Sequence, residues 1–512
     1  MGAPCRVQHA CAEAAPTGLT GRKVRANGGR MIDLRPVGYV IGLLVGTLGI
    51  TMLLPLAADL IEGRGAGATF GISALITVVS GVILMLACAN SDRRRLTIQQ
   101  TFLLTSGVWA VLPIFGAIPF VIGAPNVSVT DAVFEAMSGF TTTGSTVFTD
   151  LDTMPWGTLL WRGIMQWIGG IGIIVVAMAF LPALRIGGMQ IFRSEAFDTM
   201  GKVLPRAAEI ALSVSTIYLG LTLACFVGYS ASGMGVLDAT VHAMTTIATG
   251  GFANSDQSFA AYKGSAEYIA AVFMILASLP FVRYVQFAAG TARPLLRDSQ
   301  VRAFVYMLFG TVLVLTVWRM VGSGVGGEPA FREALFNTTS IATGTGYASA
   351  NYELWGGFAV AAIFLIGLVG GCAGSTCCSV KIFRYQIVFA AIQTQIRRLH
   401  NPHGVFSPRY QGRQVDDDVL NSVMAFFVMF ILTLSIVAVI LAFMGVAPIT
   451  AISGAATALA NIGPGLGPEI GPAGNFSNLP DQAKWVLIAT MLVGRLELMS
   501  IYVLFTITFW RR

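Results

Sequence analysis

Residues 137–146 read MSGFTTTGST, and the glycine-bearing end of this stretch returns three times along the chain. The related stretches are Ile247-Ala-Thr-Gly-Gly-Phe252, Ile341-Ala-Thr-Gly-Thr-Gly-Tyr347 and Ala460-Asn-Ile-Gly-Pro-Gly-Leu466. Each follows an apolar segment of roughly ten residues, which is too short to cross a membrane. One such stretch would indicate only a turn, whereas four in the same context predict a fourfold internal repeat.

The composition around these stretches is that of a membrane protein. Of the 512 residues, 55% are hydrophobic and 11% are charged, against roughly 25% charged in a soluble domain. The mean hydropathy is +0.73. Backbone groups in lipid must be paired within the protein, and runs of about 20 uncharged residues favour helices over a barrel. The ten predicted spans are residues 37–57, 68–89, 99–122, 157–184, 208–231, 266–290, 302–322, 356–395, 419–444 and 483–510.

The basic residues predict the orientation of these spans. With both termini inside, 24 of the 32 lysines and arginines fall in inner segments and five in outer ones. Cytoplasmic loops carry an excess of basic residues, so we expect both termini in the cytoplasm. About 13 of the 25 acidic residues lie outside, where they would attract cations. The alternative is that they only reflect the lack of basic residues there.

The first 30 residues have no apolar core of a signal peptide. We expect no folded structure there: residues 1–30 are a disordered N-terminal extension or the result of a start codon assigned too far upstream. The seven cysteines lie in this tail or in predicted membrane segments, so they offer no disulfide framework and indicate a reducing compartment.

The repeated glycines predict the chemistry. Aligned by their Thr-Gly and Ile-Gly pairs, they are Gly144, Gly250, Gly344 and Gly463. Glycine is needed where an extended backbone approaches an axis closely and turns its carbonyls inward. A ring of carbonyls can replace the water shell of a monovalent cation, and the short helices aim the negative ends of their dipoles at the same place. The alternative is that these are turns or packing contacts at span ends.

With these motifs the sequence resembles the Trk/Ktr/HKT superfamily of potassium transporters, most closely its TrkH branch. The resemblance extends from Met31 to Arg512. It includes MSGFTTTGST, QWIGGIGIIVVAMAFLP, RIGGMQIFRSE, TTIATGGF, LASLPFVRYV, IATGTGYASANYELWG, GGCAGST, and ANIGPGLGP followed by VGRLELMSIYVLFTITFWRR.

The resemblance implies an all-helical (all-α) integral membrane protein with a two-helix lead-in and four span–pore-helix–span repeats in pseudo-fourfold arrangement. The expected parts are a disordered extension at 1–30, the lead-in at 31–98, and pore repeats at 99–207, 208–301, 302–418 and 419–512, the third with a broken second span.

The resemblance also implies the ion and its site. Glycine stands at all four aligned positions, so potassium is expected. The expected filter residues are Thr142, Thr143, Gly144, Thr249, Gly250, Thr343, Gly344, Asn461, Ile462 and Gly463, with the ion at the carbonyls of Thr143, Thr249, Thr343 and Ile462.

The same resemblance implies a homodimer in a bacterial inner membrane, regulated by a cytoplasmic TrkA-type subunit. ATP, ADP or NAD is expected on that partner, because this chain has no Walker motif. We expect no covalently bound cofactor, no enzymatic activity and no nucleic-acid partner.

The eighth span is too long for one crossing, and its centre reads Gly370-Gly-Cys-Ala-Gly-Ser-Thr-Cys-Cys-Ser379. Glycine and serine clusters permit hinges, and the resemblance places a gating loop here. We expect Cys377 and Cys378, which depart from the family's glycine-rich pattern, to be packing residues rather than a redox or metal site. The expected gate residues are Gly370, Gly371, Gly374, Ser375, Thr376, Lys381 and Arg495.

Charged residues inside membranes are costly and usually functional. Arg495 lies near the middle of the last span, and the resemblance suggests that it projects into the pathway as an electrostatic barrier. A structural ion pair is the alternative, but Glu497 is a poor partner because residues two apart on a helix face different directions. We expect structural pairs for Arg283 and Glu135, and a packed polar role for His242.

Other functions fit less well. A coupled carrier with inverted repeats is disfavoured because every unit runs in the same order, although proton or sodium coupling within this frame stays open. A membrane enzyme would need ionisable residues gathered at one depth, and a receptor would leave the repeat unexplained.

Overall fold

The computed structural model describes residues 32–63, 67–90, 96–179 and 207–510. The predicted extension at 1–30 and most of the inner segment 185–207 lie outside the described residues. The helices of the lead-in and first repeat are α1 Arg35–Thr51, α2 Leu53–Glu62, α3 Gly67–Ala87, α4 Ile98–Gly116, α5 Ile118–Ile122, α6 Val129–Phe140 and α7 Trp156–Ala179.

The second and third repeats continue the same order of elements. Their helices are α8 Ala207–Ala231, α9 Val236–Ile247, α10 Ser265–Ala277, α11 Phe281–Ala288, α12 Arg293–Arg297, α13 Ser299–Ser323, α14 Gly327–Thr343, α15 Gly357–Val369 and α16 Ile382–His400.

A small hairpin precedes the fourth repeat, its strands β1 Arg409–Tyr410 and β2 Arg413–Gln414 pairing antiparallel. The last helices are α17 Asp417–Phe443, α18 Pro448–Ala460, α19 Asp481–Arg495, α20 Met499–Leu504 and α21 Ile507–Trp510.

Within the described residues, seven helical stretches are long and apolar enough to cross a membrane. An eighth is the pair α10 and α11, bent by 91° at a break that contains Pro280. Proline has no N–H to continue a helix and clashes with the preceding turn. Large apolar side chains remain exposed on α17, among them Val428 and Ile431 at 62% and Val439 at 68%. An apolar surface of this extent belongs in lipid, and the chain is a membrane protein.

The four short helices predicted from the sequence are confirmed. They are α6, α9, α14 and α18, which we call the pore helices. On α6 every residue from Ala132 to Phe140 is buried, and on α18 the same holds from Ser453 to Ala460. A helix that is buried on all sides lies in the interior of the protein, not at its lipid-facing surface.

The pore helices link the repeats in a closed cycle. Each packs against the spans of its own repeat and against the last span of the repeat before it: α9 against α7, α14 against α10, α18 against α15, and α6 against α19. The contact of α6 with α19 joins the first repeat to the fourth and closes the cycle. The pore helices thus take part in a closed cycle of contacts, which is consistent with the predicted pseudo-fourfold arrangement.

The last span differs from the prediction. It is not one helix with Arg495 near its middle, because α19 ends at Arg495. Two residues with positive φ follow, Glu497 at 59° and Leu498 at 23°. Apolar residues continue on both sides of this break, so the length of the apolar run did not reveal it. The side chain of Glu497 binds two basic side chains of the third repeat, as described below.

Candidate ion pathway

Each pore helix ends in the same backbone turn. The first residue of the turn has positive φ, a region that residues other than glycine seldom adopt, and a glycine follows two positions later. The turn residues are Thr142 (φ 52°), Thr249 (49°), Gly344 (78°) and Asn461 (52°). The following glycines, which we call the glycine ring, are Gly144, Gly251, Gly346 and Gly463.

Hydrogen bonds establish the same register independently. In three units the residue before the ring glycine donates its N–H to the carbonyl five residues earlier: Thr143 to Ser138 at 2.9 Å, Gly250 to Thr245 at 2.8 Å and Ile462 to Thr457 at 2.9 Å. In the third unit the hydroxyls of Thr343 and Thr345 lie 2.7 Å apart, just as those of Thr141 and Thr143 do in the first. These bonds make Thr345 the counterpart of Thr143.

The first two ring glycines have no room for a side chain. A Cβ on Gly144 would collide with the carbonyl oxygen of Gly250, and one on Gly251 with the carbonyl oxygen of Thr345. Each segment therefore presses directly on the carbonyl of the next, which only glycine permits at this distance.

The remaining two glycines complete the ring. A Cβ on Gly346 would lie 2.7 Å from the backbone nitrogen of Gly463, and one on Gly463 would lie 3.1 Å from the carbonyl oxygen of Gly144. The four segments, residues 142–145, 249–252, 344–347 and 461–464, thus contact one another in cyclic order. We call them the ring segments.

This register corrects the glycine alignment made from the sequence. Gly144 and Gly463 keep their places, but Gly251 replaces Gly250 and Gly346 replaces Gly344. The alignment followed recurring Thr-Gly pairs, and two of those glycines have other tasks: Gly344 ends α14 with φ 78°, as glycines after helices often do, and Gly250 accommodates a neighbouring side chain.

The predicted carbonyl set changes in the same way. Thr143 and Ile462 remain equivalent, but their counterparts are Gly250 and Thr345, not Thr249 and Thr343. Thr249 stands at the turn, and Thr343 is the last residue of α14. The shared pattern Thr-x-Thr-Gly in units one and three would have identified Gly346.

A cavity of about 310 Å³ lies on one side of the ring, next to the residues that follow the ring segments in the sequence. All four ring glycines line it, together with Asp150, Asp256 and the backbone around residues 470–476. Its two aspartates belong to the predicted acidic outer loops. Carboxylates at the mouth of a narrow site raise the local concentration of cations.

A buried ion pair holds the residues that directly follow the first ring segment. Glu135 of α6 and Arg162 of α7 lie 2.7 Å apart, with side chains 0% and 1% exposed. Glu135 also accepts from the hydroxyl of Thr146 and, at 3.0 Å, from the N–H of Val147. The predicted structural pairing of Glu135 is confirmed, and Arg162, missed in the sequence, is its partner.

Tyr347, which follows the ring glycine of unit three, was also missed. Its hydroxyl contacts the hydroxyls of Thr245, at 2.5 Å, and Thr246 on pore helix α9. Its ring packs 5.1 Å from that of Phe259 and 5.9 Å from that of His242. The predicted packed role of His242 is confirmed: it is fully buried, and its Nδ1 lies 2.8 Å from the carbonyl oxygen of Asp238.

The predicted gating loop is a non-helical segment, residues 370–381, between α15 and α16. It contacts the break between α10 and α11, where the N–H of Cys372 donates to the carbonyl of Ser278 at 3.1 Å. It also contacts the end of pore helix α18, where the N–H of Ser379 donates to the carbonyl of Ala460 at 3.1 Å. The loop therefore lies between the end of α10 and the end of α18, next to the fourth ring segment.

The predicted gate residues take different places in this loop. Gly370 and Gly374 have φ of 76° and 75°. Gly371 accepts from the N–H of Ile382 at 3.1 Å. The hydroxyls of Ser375 and Thr376 donate to the carbonyls of Cys372 at 2.7 Å and Ala277 at 3.0 Å. All five lie in the loop of the third repeat, which contacts the end of α10 in the second repeat.

Arg495 joins three parts of the molecule beneath the ring. Its guanidinium donates to the carbonyl of Gly169 at 3.0 Å and contacts the sulfur of Cys378, and it lies 5.2 Å from the ring centroid of Trp109. One turn earlier on α19, the carbonyl of Met491 accepts from Asn461 of the fourth ring segment at 3.0 Å. One helical turn rises about 5.4 Å, so Arg495 lies within about one turn of the ring.

Glu497 pairs with residues other than Arg495. The sequence disfavoured an Arg495–Glu497 pair, although the helical argument does not apply because α19 ends at Arg495. The carboxylate of Glu497 binds Lys381 at 2.6 Å and also Arg384. All three side chains are buried. Arg384 further lies 3.8 Å from the ring centroid of Phe426. Lys381, predicted as a gate residue, is thus held in an ion pair that ties the loop to the last span.

Two other predictions concern packing. Arg283 forms the expected structural pair, 2.8 Å from Asp298. Cys377 and Cys378 are free thiols, both buried; the sulfur of Cys377 lies 2.9 Å from the hydroxyl oxygen of Ser278. Both cysteines pack as expected, and Cys378 also contacts Arg495.

Comparison with known proteins gives a consistent picture. "Trk system potassium uptake protein TrkI" of Halomonas elongata is 44% identical over 479 residues, which are 93% of this chain and 97% of that protein. "Trk system potassium uptake protein TrkH" of Vibrio parahaemolyticus is 36% identical over 495 residues and is covered completely.

The fold is shared as well. The crystal structure of the potassium transporter TrkH from Vibrio parahaemolyticus matches with a TM-score of 0.86 at 34% identity, over 94% of this chain and 100% of that one. The family model described as "TrkH: Cation transport protein" matches residues 68–510. The chain therefore belongs to the TrkH family of cation transport proteins.

Proposed function

We propose that this chain takes up potassium across the bacterial inner membrane through a filter formed by the ring segments. The observation that carries the proposal is the closed glycine ring, in which the backbones of the four ring segments contact one another in cyclic order. In the proposed filter, the carbonyls of Thr143, Gly250, Thr345 and Ile462 would face the ion. Backbone carbonyls in such a ring replace the hydration shell of an alkali cation. The names of the similar proteins support potassium as the ion.

Uptake by the purified protein in liposomes tests this function. Vesicles loaded with potassium and diluted into sodium should accumulate tracer rubidium, and excess external potassium should compete with it more strongly than excess sodium. Uptake no greater than in empty vesicles would contradict the proposal. A reversal potential that follows only the potassium gradient indicates a channel; one that shifts with pH or with sodium indicates a coupled symporter instead.

We further propose that residues 370–381 and Arg495 form the gate. A guanidinium charge within about one turn of the ring opposes the passage of cations until it moves, since like charges repel strongly where water is scarce. Its contact with Cys378 holds it against the loop in this conformation. Movement of the loop would therefore move the charge.

The variant Cys378→Gly tests this gate. It places a glycine in the loop and removes the sulfur that contacts Arg495, so rubidium uptake without any regulator should rise several-fold. Cys225→Ala is the control, because Cys225 is a buried cysteine on α8. Equal uptake by both variants and the wild type would count against a barrier formed by Arg495 and the loop.

We propose that this chain forms a homodimer and that a cytoplasmic TrkA-type subunit regulates it. The inner surface offers basic side chains near the end of α16, among them Arg397 and Arg398, and the exposed Arg413 on the hairpin. Purified regulatory subunit should bind the reconstituted protein and change rubidium uptake on addition of ATP or ADP. A subunit that neither binds nor alters uptake would contradict this.

A further inference from the structure

The motif QWIGGIGI (residues 166–173) has so far contributed only the carbonyl of Gly169, which accepts from Arg495. The motif begins with a fully buried polar side chain. Gln166 lies on α7, one turn after Arg162. Its Nε2 donates to the carbonyl oxygen of Gly250 at 2.6 Å, and its Oε1 accepts from the N–H of Phe252 at 3.0 Å. One amide thus holds the backbone on both sides of ring residue Gly251.

The chain makes room for this side chain with a glycine. A Cβ on Gly250 would collide with the amide group of Gln166. The equivalent residues of the other ring segments all carry side chains: Thr143, Thr345 and Ile462. Gly250 therefore differs from them because Gln166 occupies the space that its side chain would need.

Arg162 binds the next residue of the same backbone segment, Ala253. Its Nη1 donates to the carbonyl oxygen of Ala253 at 2.8 Å, while its Nε binds Glu135. Side chains four residues apart lie on one face of a helix, so a single face of α7 fixes the backbone of residues 250–253. The second ring segment is held by the first repeat.

We propose that Gln166 is a positioning residue that determines cation preference by fixing the carbonyl of Gly250. This inference rests on the proposed filter. A carbonyl oxygen that accepts a bond from a rigid, buried amide is restrained in direction, so it cannot follow an ion of smaller radius towards the axis. Such filters distinguish alkali cations by the number and the orientation of the coordinating carbonyls. Loss of the amide frees one of the four carbonyls.

The test compares Gln166→Met with a matched control, Gln100→Met. Gln100 is also buried, on α4, and makes two bonds of the same kind to residues outside the ring segments. Its Nε2 donates to the carbonyl of Asp33 at 2.8 Å, and its Oε1 accepts from the N–H of Thr97 at 2.9 Å. Uptake of sodium relative to rubidium is measured for each protein in liposomes, beside its thermal unfolding in detergent.

We expect the sodium-to-rubidium ratio to rise about two- to tenfold in Gln166→Met, the range that one lost hydrogen bond corresponds to. The ratio of Gln100→Met should stay at the wild-type value even if its unfolding temperature falls. An unchanged ratio in Gln166→Met would overturn the inference. A wild-type protein that takes up no cation at all would instead contradict the proposed function.

A second variant keeps the test decisive if methionine prevents assembly. Gln166→Asn keeps a neutral amide but is one methylene shorter, so it cannot hold the Gly250 carbonyl and the Phe252 N–H in the same positions. It should raise the ratio as well, without burying a charge. A wild-type ratio in this variant, with uptake intact, would equally overturn the role of Gln166.

Discussion

At the scale of single residues, two neighbouring glycines have different tasks although both have positive φ. Gly346 presses on Gly463, whereas a Cβ on Gly344 would find its nearest atom, the carbonyl oxygen of Asn461, 3.7 Å away. The equivalent turn positions hold Thr142, Thr249 and Asn461, so a side chain is tolerated at that place in the fold.

Substitution of these two glycines therefore distinguishes the two alignments. Gly346→Ser should reduce the preference for rubidium over sodium by about tenfold or more, because the added atoms push one ring segment outward and a displacement costing 1.4 kcal/mol already corresponds to a factor of ten. Gly344→Asn should keep most of that preference, since asparagine adopts the left-handed region more readily than other residues. Competition of sodium with rubidium uptake measures both, and the opposite ranking would restore the alignment made from the sequence.

At the scale of elements, the buried group of Glu497, Lys381 and Arg384 joins the loop at residues 370–381 and α16 to the break after α19. Removing the charge from one partner of a buried pair leaves the others uncompensated, which typically costs about 3–5 kcal/mol. The group thus holds the third and fourth repeats together on the inner side of the ring.

Glu497→Gln should therefore lower the thermal unfolding midpoint in detergent markedly, by the loss of about 3–5 kcal/mol. The matched control is Asp481→Asn on α19, whose carboxylate is 62% exposed and lies 4.0 Å from Lys484. An exposed pair contributes about 0–1 kcal/mol, so the control should unfold near the wild-type temperature. Equal midpoints for the two variants would contradict a stabilising role of the buried group.

At the scale of the whole molecule, the excess of basic residues on one side predicts the orientation. Ala473 lines the cavity beside the acidic loops and Gln411 lies in the hairpin, both exposed. A membrane-impermeant maleimide should label Ala473→Cys in intact cells and Gln411→Cys only after lysis. Labelling of the unmodified protein, which has seven cysteines, is subtracted as background. The reverse pattern would invert the orientation, and with it the assignment of the cavity to the outer side.

Much of this architecture could be predicted from the sequence, because spans and pore helices are decided by the length of apolar runs, which is a local property. The positions of the pore helices followed from it. The register of Gly251 and Gly346 could not be predicted, because glycine also ends helices and makes room for neighbouring side chains. The sequence alone does not distinguish these uses of glycine. The partners of Glu135, Arg495 and Glu497 could not be predicted either, because they come from distant parts of the chain.

The break after Arg495, the bend before Pro280 and the loop at 370–381 lie side by side, as the bonds of Cys372 to Ser278 and of Cys378 to Arg495 require. Within the described residues, three second spans are therefore broken next to one another. In the proposed gate, the segments below these breaks would turn while the segments above them stay still. Such a design would separate the part that moves from the part whose dimensions must be preserved to a fraction of an ångström.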